Sequence, residues 1–377
     1  MSDWDIFCNV IDNYGDIGVC WRLARQLAAE HGFHVRLWVD ELGSFQHICP
    51  QIAPSLEIQT VAGIEIRRWD SDFFAPLPGD VVVEAFACRL PEKFVDAMAA
   101  RSIPPVWINL DYLSAEAWVS GCHGLPSPHP QYSLNKFFFF PGFEATTGGL
   151  IRERDLETQR EAFHNSPEQQ KDYWHLLQQK PPAAGTLAVS LFSYENPALA
   201  DLLSIWAEGS SPVCCFLPAT RSLPAVAAFT GSHLSPGEIA RCGNLELRIL
   251  PFVPQPDYDR LLWSCDINFV RGEDSFVRAQ WAAKPMVWQI YPQDEGIHLI
   301  KLNAFLDQYC AGLPETEAQA IRKLFVAWND GRLTHAIWND WIQLAAAHFR
   351  HAINWEKNLR KQEDLCTSLV RFCRSKL

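Results

Sequence analysis

The chain has 377 residues, which at roughly 150 residues per domain points to two domains. Hydrophobic residues make up 48% and charged residues 20%, with 23 Phe, 15 Trp and 8 Tyr, so global disorder is excluded and two buried cores are affordable. The net charge of -12 carries no basic stripe, which argues against a phosphate-tracking nucleic-acid binder and for a partner with a basic surface.

The first segment reads as a βαβ unit. An apolar run at 5–11 (DIFCNVI) leads into the loop DNYGDIG, then a helix in which Leu23, Leu27, Ala24 and Ala28 repeat at helical spacing, then a strand at 34–40 after Gly32. Such a unit defaults to a parallel sheet with a right-handed crossover, so its first loop lies at a strand's carboxyl end, where ligands bind. The series continues with a strand at 80–87, a helix at 91–100 and a strand at 104–114. Phe137 to Phe140 predict a strand buried on both faces.

Polar text at 165–185 breaks at QQKPPAAGT, which places a domain boundary near Lys180, giving domains 1–180 and 181–377. A second α/β series follows: strands at 186–194, 212–220 and 245–253, then a strand, helix and strand across 265–292. From His335 to about Arg374 the chain is helix-rich, and these helices are expected to pack back on the N-terminal half. The fold class expected is α/β, with two Rossmann-like domains.

No apolar run is long enough to span a membrane, and the start MSDWDIFCNV lacks a basic segment ahead of a hydrophobic one, so a cytoplasmic protein is expected. The 12 Cys are scattered without a C-x-x-C, and the 12 His show no zinc spacing. Neither a structural metal nor a disulfide scaffold is expected.

Several places carry candidate chemistry. In DINFVRGEDSFVRAQWA an apolar strand is followed by Arg271, Gly272, Glu273 and Asp274 and then a helix expected to be capped by Ser275. A helix start offers unpaired N–H groups that hold a diphosphate, with Gly272 permitting close approach and Ser275 supplying a hydroxyl. Alternatively, Glu273 and Asp274 only favour the helix dipole. In the loop Asp12-Asn13-Tyr14-Gly15-Asp16-Ile17-Gly18, two carboxylates sit four residues apart beside two glycines. The pattern is neither G-x-G-x-x-G nor a P-loop, and it reads either as a site or as an acidic turn with Asp16 as the helix cap. Phe252 and Gln255 precede a helix where an aromatic face and an amide suit a nucleobase, although core packing explains Phe252 nearly as well. Tyr194 and Tyr291 follow apolar strands and suit a ribose or phosphate, or simply lie on the surface.

The blocks IFCNVIDNYGDIGVCWRLARQL, WINLDYLSAEAWV, FFFFPGF with TGGLIRE, and LPFVPQPDYDRLLWSCDINFVRGEDSFVRAQWAAKPMVWQIYPQDEGIH closely resemble the bacterial elongation factor P (EF-P) arginine rhamnosyltransferase family. The resemblance implies a GT-B-type glycosyltransferase of two facing Rossmann-like domains with a cleft between them. It implies dTDP-β-L-rhamnose as donor, held by the C-terminal domain, and elongation factor P as acceptor, met by the N-terminal one. The implied reaction is inverting transfer of rhamnose to an arginine, which activates elongation factor P to relieve stalling at polyproline. Carried over by position, Asp12, Asp16 and Glu273 are catalytic acids. Tyr14, Gly15, Tyr194, Phe252, Gln255, Arg271, Gly272, Glu273, Asp274, Ser275 and Tyr291 line the donor pocket. No metal or other cofactor, nucleic acid or membrane is implied. The competing readings are another sugar-nucleotide enzyme of this shape, such as an epimerase or small-molecule glycosyltransferase, and a non-catalytic sugar-nucleotide-dependent binding module. A nicotinamide dehydrogenase is disfavoured by the missing dinucleotide fingerprint.

Overall fold

The computed structural model describes residues 2–12, 14–70, 76–293 and 296–377. The chain divides into two compact units, residues 1–154 with 360–377, and residues 155–359. The first contains β1 (Asp3–Cys8), α1 (Gly15–His31), β2 (His34–Val39), α2 (Leu42–Ile48), β3 (Ile58–Val61), β4 (Ile64–Arg68), β5 (Val81–Ala85), α3 (Glu92–Ala99), β6 (Val106–Leu110), α4 (Trp118–Cys122), β7 (Pro126–Pro128) and β8 (Asn135–Phe139). These strands form one sheet in the order β3-β4-β2-β1-β5-β6-β8-β7. From β4 to β8 every pairing is parallel; only the outermost pairs, β3 with β4 and β7 with β8, are antiparallel.

The second unit contains α5 (Leu156–Asn165), α6 (Pro167–Leu176), β9 (Leu187–Leu191), α7 (Ala198–Glu208), β10 (Val213–Pro218), α8 (Leu223–Thr230), β11 (Ile239–Cys242), β12 (Leu245–Leu250), α9 (Gln255–Ser264), β13 (Ile267–Arg271), α10 (Asp274–Trp281), β14 (Met286–Gln289), α11 (Ile297–Tyr309), α12 (Glu315–Asp330), α13 (His335–Ile342) and α14 (Ala345–Leu359). Its sheet runs β11-β12-β10-β9-β13-β14, parallel except at the β11 edge. The last helix, α15 (Leu365–Arg374), belongs to the first unit. Both sheets are Rossmann-like: in each, the chain runs outward on one side of the first strand and then resumes on the other, leaving a switch point between β1 and β5 and another between β9 and β13.

The unit boundary lies between Arg154 and Asp155 rather than near Lys180. The polar surface of α5 and α6 hides an aromatic face that packs within the second unit. Phe163 meets Trp263 at 5.7 Å and Trp174 meets Phe216 at 4.9 Å between ring centroids, while the Tyr173 hydroxyl donates to the Asp257 carbonyl at 2.8 Å. The Phe run also differs from expectation. Phe139 and Phe140 are buried, but Phe137 and Phe138 are half-exposed because β8 has only the three-residue β7 beyond it. Phe137 and Phe139 share a face and each meets Phe372 of α15 at 5.6 Å.

The first unit closes on its C-terminal helix through α1. Arg22, Gln26 and Glu30 repeat every four residues and so form one stripe. Arg22 pairs with Glu153 at 3.2 Å, Gln26 donates to the Arg152 carbonyl and to Asp364, and Glu30 accepts from the Arg154 N–H. Asp364 in turn caps α15 at Thr367. Gly149 lets the two segments meet: its φ is +75°, and a Cβ there would stand 2.3 Å from the Glu363 carbonyl oxygen. Gly149→Ala is therefore expected to destabilise the protein by about 2 kcal/mol or more through strain and overlap. Gly185→Ala, with φ of +77° but nothing within 4 Å, should cost less when the two variants are compared by urea titration.

Candidate functional site

In the first unit, the loop from β1 to α1 is organised by one carboxylate. Gly15 opens α1 and Asp16 is its second residue, only 2% exposed. The Asp16 Oδ2 accepts the N–H groups of Ile11 and Asp12, each at 2.8 Å. It therefore reaches back to the incoming loop instead of capping the helix; Tyr14 holds the N-cap position and makes no side-chain cap bond. Burial raises the Asp16 pKa above the ordinary aspartate value and the nearby Asp40 adds to that, while the amides of Asp12 and Ile11 and a side-chain hydrogen bond with Tyr112 oppose the shift. Asp12 is half-exposed beside it. A Cβ on Gly15 would lie 2.8 Å from the Asp12 Oδ2, so glycine leaves that carboxylate its place. Tyr14 rests against His47 with ring centroids 5.8 Å apart.

This loop lies at the β1/β5 switch point. Phe86 and Ala87, directly after β5, hold φ of +56° and +54°, a strained pair at the carboxyl end of a central strand. Phe86 stacks on Tyr112 at 4.6 Å, which links that strained turn to the residue bonded to Asp16. A cavity of about 710 Å³ opens here, lined by Ile11, Asp40, Trp69, Ala87, Arg89 and Leu90 among others.

In the second unit, the β9/β13 switch point gathers most of the remaining candidates. The Arg271 guanidinium, on a residue 6% exposed, lies 4.6 Å from the Phe192 ring centre and 4.3 Å from that of Tyr194. Two aromatic faces thus hold a cation at the end of a parallel strand. Tyr194 meets Tyr291 edge-on at 5.5 Å, and its N–H donates to Gln289 at 2.9 Å. Gly272 takes the left-handed conformation at φ +58°, and its carbonyl accepts from the Trp288 indole at 2.8 Å.

Ser275 does not cap α10. The helix begins at Asp274 with Glu273 in the N-cap position, and no side chain makes the cap bond. The Ser275 hydroxyl instead donates to the Arg271 carbonyl and accepts the Arg271 N–H at 3.1 Å, closing the strand-to-helix turn on itself. Gln255, buried at the start of α9, donates its amide to Asp274 at 3.1 Å. Phe252 and Glu273 are half-buried on the loops that lead into α9 and α10.

The structure thus brings together Asp12, Tyr14, Gly15 and Asp16 in one unit. In the other it links Tyr194 with Arg271 and Tyr291, Arg271 with Ser275, and Gln255 with Asp274. Sequence reading missed Phe192, although it stands two residues from Tyr194 and so faces the same way on an extended chain. It also gave no role to Tyr112 or Asp40, which are remote from Asp16 in sequence and announce nothing by motif. Among the described residues, no three His, Cys, Asp or Glu side chains are grouped to hold a metal ion, and no helix is long and apolar enough to cross a membrane.

Comparison with known proteins adds chemistry to this geometry. The sequence model of the family described as elongation factor P (EF-P) rhamnosyltransferase EarP matches residues 4–374. A protein-arginine rhamnosyltransferase of Pseudomonas putida is 48% identical, with 100% of both chains covered. One from Neisseria meningitidis serogroup B is 38% identical over 97% of this chain and 96% of its own. A solved structure described as the structural basis for EarP-mediated arginine glycosylation of translation elongation factor EF-P is 35% identical, covers 100% of both chains and superposes with a TM-score of 0.73.

The raised Asp16 pKa has a consequence for stability. The folded protein holds this proton more tightly than the unfolded chain, so the group's contribution falls as pH rises through the interval between the two pKa values, and its cost is complete above the folded one. Asp16→Asn keeps an oxygen for the two loop amides and removes that cost. The variant is expected to melt no lower than the native protein at pH 7, with its relative advantage shrinking toward pH 4, as scanning calorimetry at the two pH values would register.

Proposed function

Because this chain belongs to the elongation factor P rhamnosyltransferase family EarP, a family of protein-arginine glycosyltransferases, we propose that it transfers L-rhamnose from dTDP-β-L-rhamnose to an arginine of elongation factor P, with inversion at the sugar. The first unit meets the acceptor and the second holds the donor. The observation that carries this reading is Asp16: a carboxylate 2% exposed, with a raised pKa, at the carboxyl end of a central parallel strand.

An arginine acceptor sets a particular problem. Its guanidinium has a pKa near 13.8, so holding it neutral at pH 7 before reaction costs about 9 kcal/mol. Proton loss therefore accompanies attack. The guanidine nitrogen attacks the anomeric carbon, the bond from that carbon to the diphosphate oxygen breaks with its electron pair leaving on dTDP, and the nitrogen's proton passes to Asp16. Asp12, half-exposed beside it, orients the guanidinium. Glu273, at the start of α10, holds the sugar hydroxyls or the guanidinium.

On the donor side, the start of α10 and the cushioned Arg271 stabilise the charge that develops on the diphosphate. Gln255 and Phe252 take the base, and Tyr194 and Tyr291 the ribose or phosphates. The Ser275 hydroxyl is directed at the Arg271 carbonyl, so its contribution is the shape of the turn. No metal is needed in this scheme, and turnover is expected to persist in excess EDTA. A cytoplasmic location follows from the acceptor, a translation factor.

The direct test is mass analysis of purified elongation factor P after incubation with enzyme and dTDP-rhamnose. One added deoxyhexose on an arginine is expected, and an unmodified acceptor alongside epimerised or hydrolysed donor would reject the reading. Asp16→Asn should lower kcat by about 10²- to 10⁴-fold while leaving dTDP affinity near the native value. Near-normal turnover would remove Asp16 as the base. Gly15→Ala, which pushes the Asp12 carboxylate aside, should lose about 10-fold or more in kcat through misplacement alone, with a native melting temperature.

A further inference from the structure

The helices α9 and α10 are tied by two rungs. Gln255 and Asp259 stand four residues apart on α9, and Asp274 and Arg278 stand four apart on α10, so each pair marks one helix face. Gln255 donates to Asp274 at 3.1 Å. One turn deeper, Arg278 grips Asp259 with both arms of its guanidinium, Nε to Oδ1 at 2.9 Å and Nη2 to Oδ2 at 2.7 Å. Arg278 is 2% exposed and Asp259 6%.

The rungs join first turn to first turn and second turn to second turn, so the helices run side by side in the same direction with their N-termini together. That arrangement sets two positive dipole ends beside each other, which is unfavourable unless something anionic lies there or the helices are held in place. The Asp259–Arg278 pair holds them. A bidentate guanidinium–carboxylate pair fixes both spacing and rotation, which a single ammonium contact does not. A buried ion pair is no net source of stability by default, and an apolar pair of similar volume packs at least as well. A geometric role accounts for the pair better than a stabilising one.

We infer that Asp259 and Arg278 are positioning residues for the donor: without touching it, they set the spacing between Gln255 and the turn from Arg271 to Ser275, and so the fit of the dTDP moiety. This rests on the donor reading proposed above. The pair lies a full turn behind Gln255 and Asp274, so its effect is expected in donor affinity and not in the proton transfer carried by the other unit.

The test uses the full chain with two variants, Arg278→Lys, which keeps the charge but loses the fork, and the exchanged pair Asp259→Arg with Arg278→Asp. Binding of dTDP is measured by calorimetry, and donor KM and kcat with elongation factor P as acceptor. Arg278→Lys should raise the dTDP Kd and the donor KM together by about 10-fold or more, with kcat within about twofold and the acceptor KM unchanged. The exchanged pair should recover part of the lost affinity. An unchanged dTDP Kd in a folded Arg278→Lys protein would overturn the inference, as would equal loss of kcat and of melting temperature without a change in donor KM. If Arg278→Lys does not fold, the exchanged pair decides alone, and a folded exchange with dTDP Kd no better than 100-fold above native overturns it. A native enzyme without measurable dTDP affinity would sink the donor reading and this role with it, whereas native binding with unaltered variants would sink the positioning role only.

Discussion

Parallel strand pairing is the constraint from which the rest of this structure follows. A parallel neighbour has to be reached by a crossover, and the crossover helices cover the sheet faces, so the loops that enter those helices collect at the strands' carboxyl ends. In the first unit that rule delivers Asp12 and Asp16 after β1, Asp40 after β2, the strained Phe86–Ala87 turn after β5 and Tyr112 after β6 to one edge of one sheet. In the second it delivers Tyr194, Gln255 and Tyr291 after β9, β12 and β14, and Arg271 at the end of β13. Residues more than 90 positions apart become neighbours because each stands at or just past the carboxyl end of a parallel strand, as the hydrogen bond from Tyr194 to Gln289 illustrates.

At both edges a charged group is withdrawn from water and supplied with chosen partners. Asp16 is held by two loop amides and Tyr112 against the cost of burial, and the balance leaves its proton affinity raised. Arg271 lies against the aromatic faces of Phe192 and Tyr194. For the reaction proposed above, in which an arginine loses a proton and charge develops on a diphosphate, a basic carboxylate and a cushioned cation are the complementary requirements.

The α/β periodicity, the strand positions and the glycine loops were legible in the sequence because they are local. Gly32 ends α1 in the left-handed conformation, as its position after a helical repeat suggests, and Gly272 bends the turn after β13. The helix caps were misjudged for a common reason. Asp16 and Ser275 have the composition of caps and stand near helix starts, but each is the second helical residue and bonds backward to the loop or strand that precedes it. The boundary was misplaced because Pro and Gly punctuation at 178–186 marks the entry to β9, whereas the true change of unit falls in a segment with no such signal. The helices between the two have few apolar residues in a polar text, and only packing reveals that Phe163, Tyr173 and Trp174 are core.

By itself the sequence determined the fold class, the two-unit organisation, the family and the residue types at both candidate sites, because hydrophobic period, turn chemistry and long matched blocks are properties of the linear text. Tertiary structure alone decided which groups meet: Tyr112 and Asp40 around Asp16, Phe192 beneath Arg271, Asp259 against Arg278, and the stripe of α1 on residues 152–154 and Asp364. The physical reason is that proton affinity, cation placement and helix spacing depend on burial and on partners contributed by distant segments. No local pattern encodes those, since the same side chain in the same motif titrates and packs differently according to what the fold sets beside it.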